Sequence, residues 1–239
     1  MHPVATRANN DRSPPRMDRR RVLRLILVAA CLMPAAADAA AEADALTGPI
    51  AALNAGLLAA MQDGRAVPFI TRYAHLGPVI ERVFDLRVIL RASVGLLWAG
   101  LAQKDQTQLL DAFRAYTVST YVANFDSYDG QHFVILPDRR SVGDEVVVAT
   151  QIVPSSGTPA RMDYVLRPEQ GDGGVLWKVI DIMLDGSISQ VALQRSQFHG
   201  FLGDGGVANL IAVLRRKAAD LSAGALSPPA GSTGARDPG

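Results

Sequence analysis

Residues 145–184 read EVVVATQIVPSSGTPARMDYVLRPEQGDGGVLWKVIDIML, and this stretch decides the fold. Three runs rich in Val, Ile and aromatic residues, Glu145–Val153, Ala160–Leu166 and Val175–Leu184, are separated by Pro154-Ser155-Ser156-Gly157 and Gly171-Asp172-Gly173-Gly174. Such runs bounded by Pro, Ser and Gly clusters are strands joined by turns. A further run, His132–Leu136, precedes them across Pro137-Asp138. Connections this short make the neighbours antiparallel, because parallel strands need a long crossover. In the third strand Met162, Tyr164 and Leu166 face one way and Arg161, Asp163 and Arg167 the other, the pattern of a sheet with one dry face. Gly171-Asp172-Gly173-Gly174 joins strand to strand, so it is read as a hairpin and not as a phosphate loop.

Outward from the strands the period changes to that of helices. On the N-terminal side, Thr47 is placed to cap a helix to about Asp63 with Pro49 in its first turn. A second helix, about Pro68–Leu76, is expected to stop at Gly77-Pro78, followed by a short one to Phe84. Asp85 caps Leu86–Ala92, and the longest helix spans about Asp105–Phe125, with Leu109, Leu110, Phe113, Tyr116, Thr117, Tyr121 and Phe125 at helical spacing. On the C-terminal side, helices are expected over Ser189–Leu202 and after Asp204-Gly205-Gly206, the second with Val207, Leu210, Ile211, Leu214, Ala218 and Leu221 on one stripe. The fold class is α+β: a curved antiparallel sheet of about four strands with helices packed on one face.

The first residues read as an address. Arg19, Arg20, Arg21 and Arg24 precede an apolar run from Leu25 to Met33, and Ala37-Asp38-Ala39 fits the A-x-A cleavage pattern of a secretory signal. Residues 1–39 are therefore taken as an export segment starting at Met17, 40–221 as one domain, and 222–239, rich in Ser, Pro, Gly and Ala, as a disordered tail. The expected compartment is the periplasm. The arginine run also resembles a twin-arginine signal, and Val28-Ala29-Ala30-Cys31 resembles a lipobox, so anchoring through an acylated Cys31 is the alternative to a clean cut after Ala39.

Cleavage after Ala39 removes the single cysteine, and with it any disulfide, thiolate metal site or thiol nucleophile. It also removes seven basic and three acidic residues, turning a net charge of +1 into 17 basic against 20 acidic. A mildly acidic domain with no basic cluster does not suit nucleic acid. No H-E-x-x-H, G-x-S-x-G or phosphate-loop motif is present. The best enzymatic constellation is His132, Asp163 and Asp181 on strands, an Asp base in a cone-shaped pocket. The competing account is structural: Asp163 on the polar face, and Asp181 paired with Arg91 or Arg195. The aromatic set Trp98, Phe113, Tyr116, Tyr121 and Trp177 reads equally as packed core or as cavity lining.

A resemblance enters at Trp177-Lys178-Val179-Ile180-Asp181, Asp185-Gly186-Ser187-Ile188-Ser189 and Gln194-Arg195-Ser196-Gln197-Phe198. Together these resemble the W-K-V-x-D-x-x-x-[DE]-G-x-S … R-x-x-F signature of the MlaC, or toluene-tolerance, family. The likeness runs from about Leu46 to Leu221, and its last segment looks most like the hopanoid-biosynthesis-associated (HpnM-like) branch. Ala99 departs from the pattern, since many relatives carry a basic residue there. The resemblance implies a sheet and helices enclosing an apolar cavity, and a periplasmic lipid carrier that is not an enzyme. It implies hopanoid or phospholipid as cargo, no cofactor or metal, a monomer, and an inner-membrane lipid transporter of ABC or RND type as partner. On that reading the lining falls to Phe84, Val88, Leu97, Phe113 and Tyr116 from the helices and to Met162, Tyr164, Leu166, Val179 and Met183 from the strands. The alternatives are a small enzyme using Asp181 or His132, and a fully packed interaction protein.

Overall fold

The structure is a computed structural model that describes residues 34–171 and 174–226. The arginine run, the apolar stretch and Cys31 lie outside the described residues, as do residues 227–239 of the expected tail. Contacts divide the chain into Met1–Ala43 and Asp44–Gly239, and the fold below is that of the second unit.

Among the described residues five α-helices and five strands follow in chain order: α1 Pro34–Asp63, α2 Phe69–Val83, α3 Leu86–Val94, α4 Gln103–Asn124, β1 His132–Val142, β2 Glu145–Val153, β3 Ala160–Gly171, β4 Gly174–Leu184, β5 Ile188–Ser189 and α5 Gln190–Leu221. The strands form one antiparallel sheet in sequence order. The meander is as expected, with a fifth strand of two residues that pairs Met183 with Ser189 and Leu184 with Ile188. That strand is too short to carry a periodic signal. The α2, α3 and α5 helices all pack against β4, and α4 packs along α5.

Two helix boundaries differ from the sequence expectation. The α1 helix does not start at Thr47; the Ala-rich stretch before it continues the helix, and Pro49 lies inside. Alanine is the best helix former, which outweighs a capping residue that the chain does not need. Its segment Asp44–Ala66 is long and apolar enough to cross a membrane by length and composition, yet Leu46, Ile50, Leu53 and Leu57 form a core stripe. The α2 helix likewise runs through Gly77-Pro78 to Val83. Pro78 costs one backbone hydrogen bond, but burying Leu76, Ile80 and Val83 on one stripe offsets it.

Two irregularities in the sheet matter more. Register shifts between Ile135 and Arg139 on β1, so the expected Pro137-Asp138 turn is a bulge inside a longer strand. Register shifts again between Val165 and Leu166: Val165 pairs with Asp181 but Leu166 pairs with Val179, leaving Ile180 as the extra residue. A bulge breaks the two-residue alternation of a strand. Val179 therefore shares a face with Leu166, Ile182 with Tyr164, and Leu184 with Met162, while Met183 pairs with Asp163 on the opposite face.

That opposite face is not uniformly exposed, because Val147, Ala149 and Asp163 are buried there. Asp163, 5 % exposed, is held by two Arg161 hydrogen bonds of 2.9 Å each. The β4–β5 turn closes on this pair. Asp185 and Gly186 both take positive φ, 48° and 71°, and a Cβ on Gly186 would lie 3.2 Å from Arg161 Nε and 3.3 Å from Asp163 Oδ2. Glycine meets both demands at once. In α5 the expected break appears as non-helical backbone at Gly205 and Gly206, bridged by Asn209, whose side-chain amide donates to the Phe201 carbonyl at 2.9 Å.

Candidate functional site

Lys178, Val179 and Asp181 of the Trp-Lys-Val-x-Asp segment each perform a local structural task. The Lys178 ammonium donates to the Arg82 carbonyl at 2.6 Å, satisfying the C-terminal end of α2. Val179 is fully buried, and its carbonyl accepts from the Asp85 N–H at 2.9 Å, tying β4 to the α2–α3 junction. The Asp85 side chain caps α3 through the Val88 N–H at 2.9 Å, as the sequence indicates. Asp181 accepts from the Ile182 and Val191 N–H groups, at 2.7 and 3.1 Å, and from the Ser189 hydroxyl. Ser189 in turn caps α5 by accepting from Ala192 N–H at 3.0 Å. The partners of Asp181 are thus a hydroxyl and backbone amides and not Arg91 or Arg195. A carboxylate at a helix N-terminus finds donors and a favourable dipole without a cation. Downstream, Phe198 is buried edge-on against Phe113, ring centroids 6.2 Å apart at 89°.

These ties place α5 beside β4 and α4 without closing the space between them. A cavity of about 380 Å³ remains. Its floor is β4 and β3, through Asp181, Ile182, Leu184 and Met162; α3 contributes Leu86 and Ile89. The α4 wall supplies Phe113, Tyr116, Thr117, Thr120, Tyr121 and Asn124, and Phe84 and Phe125 complete the aromatic part. The α5 wall supplies Gln190, Val191, Leu193, Gln194 and Gln197. The rings brace one another: Phe84 lies 5.7 Å from Tyr121, and Tyr121 stacks on Phe125 at 6.0 Å. Lys217 sits over Tyr116 at 5.7 Å, a cation–π contact that holds that ring in place. Burial pushes the Tyr121 hydroxyl well above its ordinary pKa, helped by nearby Tyr164, so both stay neutral. The Thr117 hydroxyl is buried with no hydrogen-bond partner among the described residues.

Of the expected lining residues, Phe84, Phe113, Tyr116 and Met162 meet at this cavity. Tyr164, Leu166 and Val179 are instead buried in the packed core. Met183 lies on the far face because of the Ile180 bulge. Val88 is off the buried stripe of α3, formed by Leu86, Ile89, Leu90, Ser93 and Val94. Leu97 belongs to a 3₁₀ turn, Gly95–Gly100, and is 54 % exposed. Sequence reasoning missed Ile182 and Leu184, which only the bulge brings inward. It also missed Gln190, Leu193, Gln194 and Gln197, whose spacing of three and four is a legible helix face.

His132, Asp163 and Asp181 are not brought together. His132 opens β1 opposite Val153. Asp163 belongs to a hollow on the far face, with Arg139, Arg140 and Arg161, whereas Asp181 lines the helix-side cavity.

Against known proteins, the family model described as MlaC protein matches residues 52–216. Among solved structures the fold is similar to a phospholipid-binding protein from Ralstonia solanacearum, solved in complex with a phospholipid. The TM-score is 0.61 at 23 % identity, over 74 % of this chain and 97 % of that one. No curated protein matches the chain.

Proposed function

The chain belongs to the MlaC family, and from that premise we propose that it is a periplasmic lipid carrier whose cavity takes the tail of a hopanoid or a phospholipid. The observation that carries this reading is the cavity between α4, α5 and β4. Apolar side chains dominate its lining, and its one ionisable carboxylate, Asp181, is already occupied by internal donors. At ~30 Å³ for a water-sized group, 380 Å³ holds about a dozen such units, the room of one lipid tail. Each methylene withdrawn from water is worth about 0.8 kcal/mol, so a tail of that size gains on the order of 10 kcal/mol. That is enough to hold a cargo across an aqueous gap and supports shuttling to an inner-membrane transporter. The export-type N-terminus supports the compartment.

Native mass spectrometry and lipid extraction of protein purified from its own host test the proposal. Wild type is expected to carry lipid, and Ile182→Trp, which fills the cavity floor, to carry much less at unchanged helicity. A bulky ring at Val179 would instead strain the fold, since Val179 is fully buried in packed core. Lipid-free wild type, or undiminished lipid in Ile182→Trp, would overturn the proposal.

A further inference from the structure

Beside the α5 wall of the cavity the surface changes character. Leu96 is 98 % exposed and Leu97 54 % exposed, at the tip of the 3₁₀ turn Gly95–Gly100. Soluble surfaces carry scattered apolar residues singly, but here two adjacent leucines project together. The chain segments that carry and adjoin them are basic. Residues 86–104 carry Arg87, Arg91 and Lys104, residues 190–203 carry Arg195, and neither segment holds an Asp or Glu. Asp85, Asp105 and Asp204 stand just past their ends, and Asp85 is engaged in capping α3 and pairing with Arg167. All four cations are exposed and none forms an ion pair among the described residues. The residues after Ala39 total 17 basic and 20 acidic, so this face runs against the charge of the rest.

The two segments form one surface. The Ser93 hydroxyl donates to Gln194 Oε1 at 3.1 Å, joining α3 to α5. Gly95, at φ 71°, leaves room for the Arg195 guanidinium, which a Cβ would approach to 3.5 Å. Gln194 and the exposed Leu193 also line the cavity, so the leucine tip adjoins the α5 wall of the cavity.

We propose that this face docks on an anionic lipid bilayer, with Leu96 and Leu97 entering the interface and Arg87, Arg91, Lys104 and Arg195 resting on its headgroups. An exposed apolar tip on basic segments matches the two forces available there, apolar insertion and attraction to anionic lipid. Docking in this way brings the α5 wall of the cavity to the bilayer.

Co-sedimentation of the full chain with vesicles tests this, using phosphatidylcholine with and without phosphatidylglycerol. The N-terminal segment is the same in every variant, so differences report the face alone. Wild type is expected to favour the anionic vesicles and to lose that preference as salt rises. Arg91→Glu with Arg195→Glu should weaken anionic binding at least about tenfold, since each basic residue at such a surface strengthens binding about fivefold. Leu96→Ser with Leu97→Ser should weaken it while changing Tm little, because Leu96 is in solvent and Leu97 lies outside the buried core. Emission of Leu96→Trp should shift to the blue on the vesicles. Undiminished binding of either double variant, or no anionic preference in wild type, overturns the proposal; the latter leaves an acidic protein surface as the face's partner. Lipid extracted from the cavity is expected to be the same in all these variants, so this test and that of the carrier reading fail separately.

Discussion

Two parts of the helical layer are made from similar apolar residues and end differently. Under α1 and α2 the helices touch. Gly56 lets α1 approach Leu76 and Val79 so closely that a Cβ would lie 3.3 and 3.2 Å from them, and Ile50, Leu53, Leu57 and Ile80 are fully buried. Arg72 bolts the far side, donating to the Val67 and Val122 carbonyls at 3.2 and 2.8 Å. Between α4 and α5 the side chains are larger and partly polar. Phe113, Tyr116, Tyr121, Thr117 and the α5 glutamines meet across about 380 Å³ of open space. Close packing needs small residues at the crossing and short aliphatic side chains that interdigitate. Braced rings and amides line a space over β3 and β4 that α4 and α5, packed along each other, do not fill.

The comparison breaks first if the packed half proves soft. Leu53→Ala should cost about 2–5 kcal/mol of stability in urea melts, as buried leucines do, and leave lipid per folded molecule unchanged. Ile182→Ala, at the cavity floor, should cost less than about 2 kcal/mol, because its neighbourhood is already partly empty, and alter lipid content. Equal losses would erase the distinction. The reverse face of the sheet gives the next largest effect: Gly186→Ala should cost about 1–3 kcal/mol, from its left-handed φ and from contact with the Arg161–Asp163 pair.

Alkali probes the edge of the cavity, with Tyr164 buried in the core beside it and Tyr121 in its lining. Burial raises both folded pKa values above the ordinary 10.0. Above pH 10 the unfolded chain therefore releases these protons first, and stability falls as pH rises. Tyr164→Phe and Tyr121→Phe should each flatten the alkaline limb of a pH–stability curve and leave the limb below pH 10 unchanged. The smallest expected effect is Thr117→Val, which removes a buried hydroxyl without a partner among the described residues. It should be neutral or stabilising by up to about 1 kcal/mol in lipid-free protein, and a measurable loss would mean the hydroxyl has a bonding role.

Much of this was legible beforehand. The meander, its Gly171–Gly174 hairpin, the Asp85 cap and the break at Gly205-Gly206 follow from local chemistry that the chain states in a few adjacent residues. What stayed hidden depends on distant partners. The bulge at Ile180 is set by how β4 meets β3, and a single extra residue exchanged Met183 for Ile182 and Leu184 at the cavity. Pro78 looked like a stop because the packing gained by continuing α2 is not written next to it. The Gln190-to-Gln197 face was readable by spacing, but amides do not announce an apolar site.

The Gly205–Gly206 interruption divides the last helix into segments with different obligations. The part before it walls the cavity, and the part after it buries Leu210, Ile211 and Leu214 in the core. A continuous helix would have to fray or hold as one cooperative unit. An interrupted one can open by halves, so the amide protons of Gln190–Gly203 should exchange with solvent deuterium faster than those of Leu210–Leu221. Replacing both glycines by alanine should bring the two rates together.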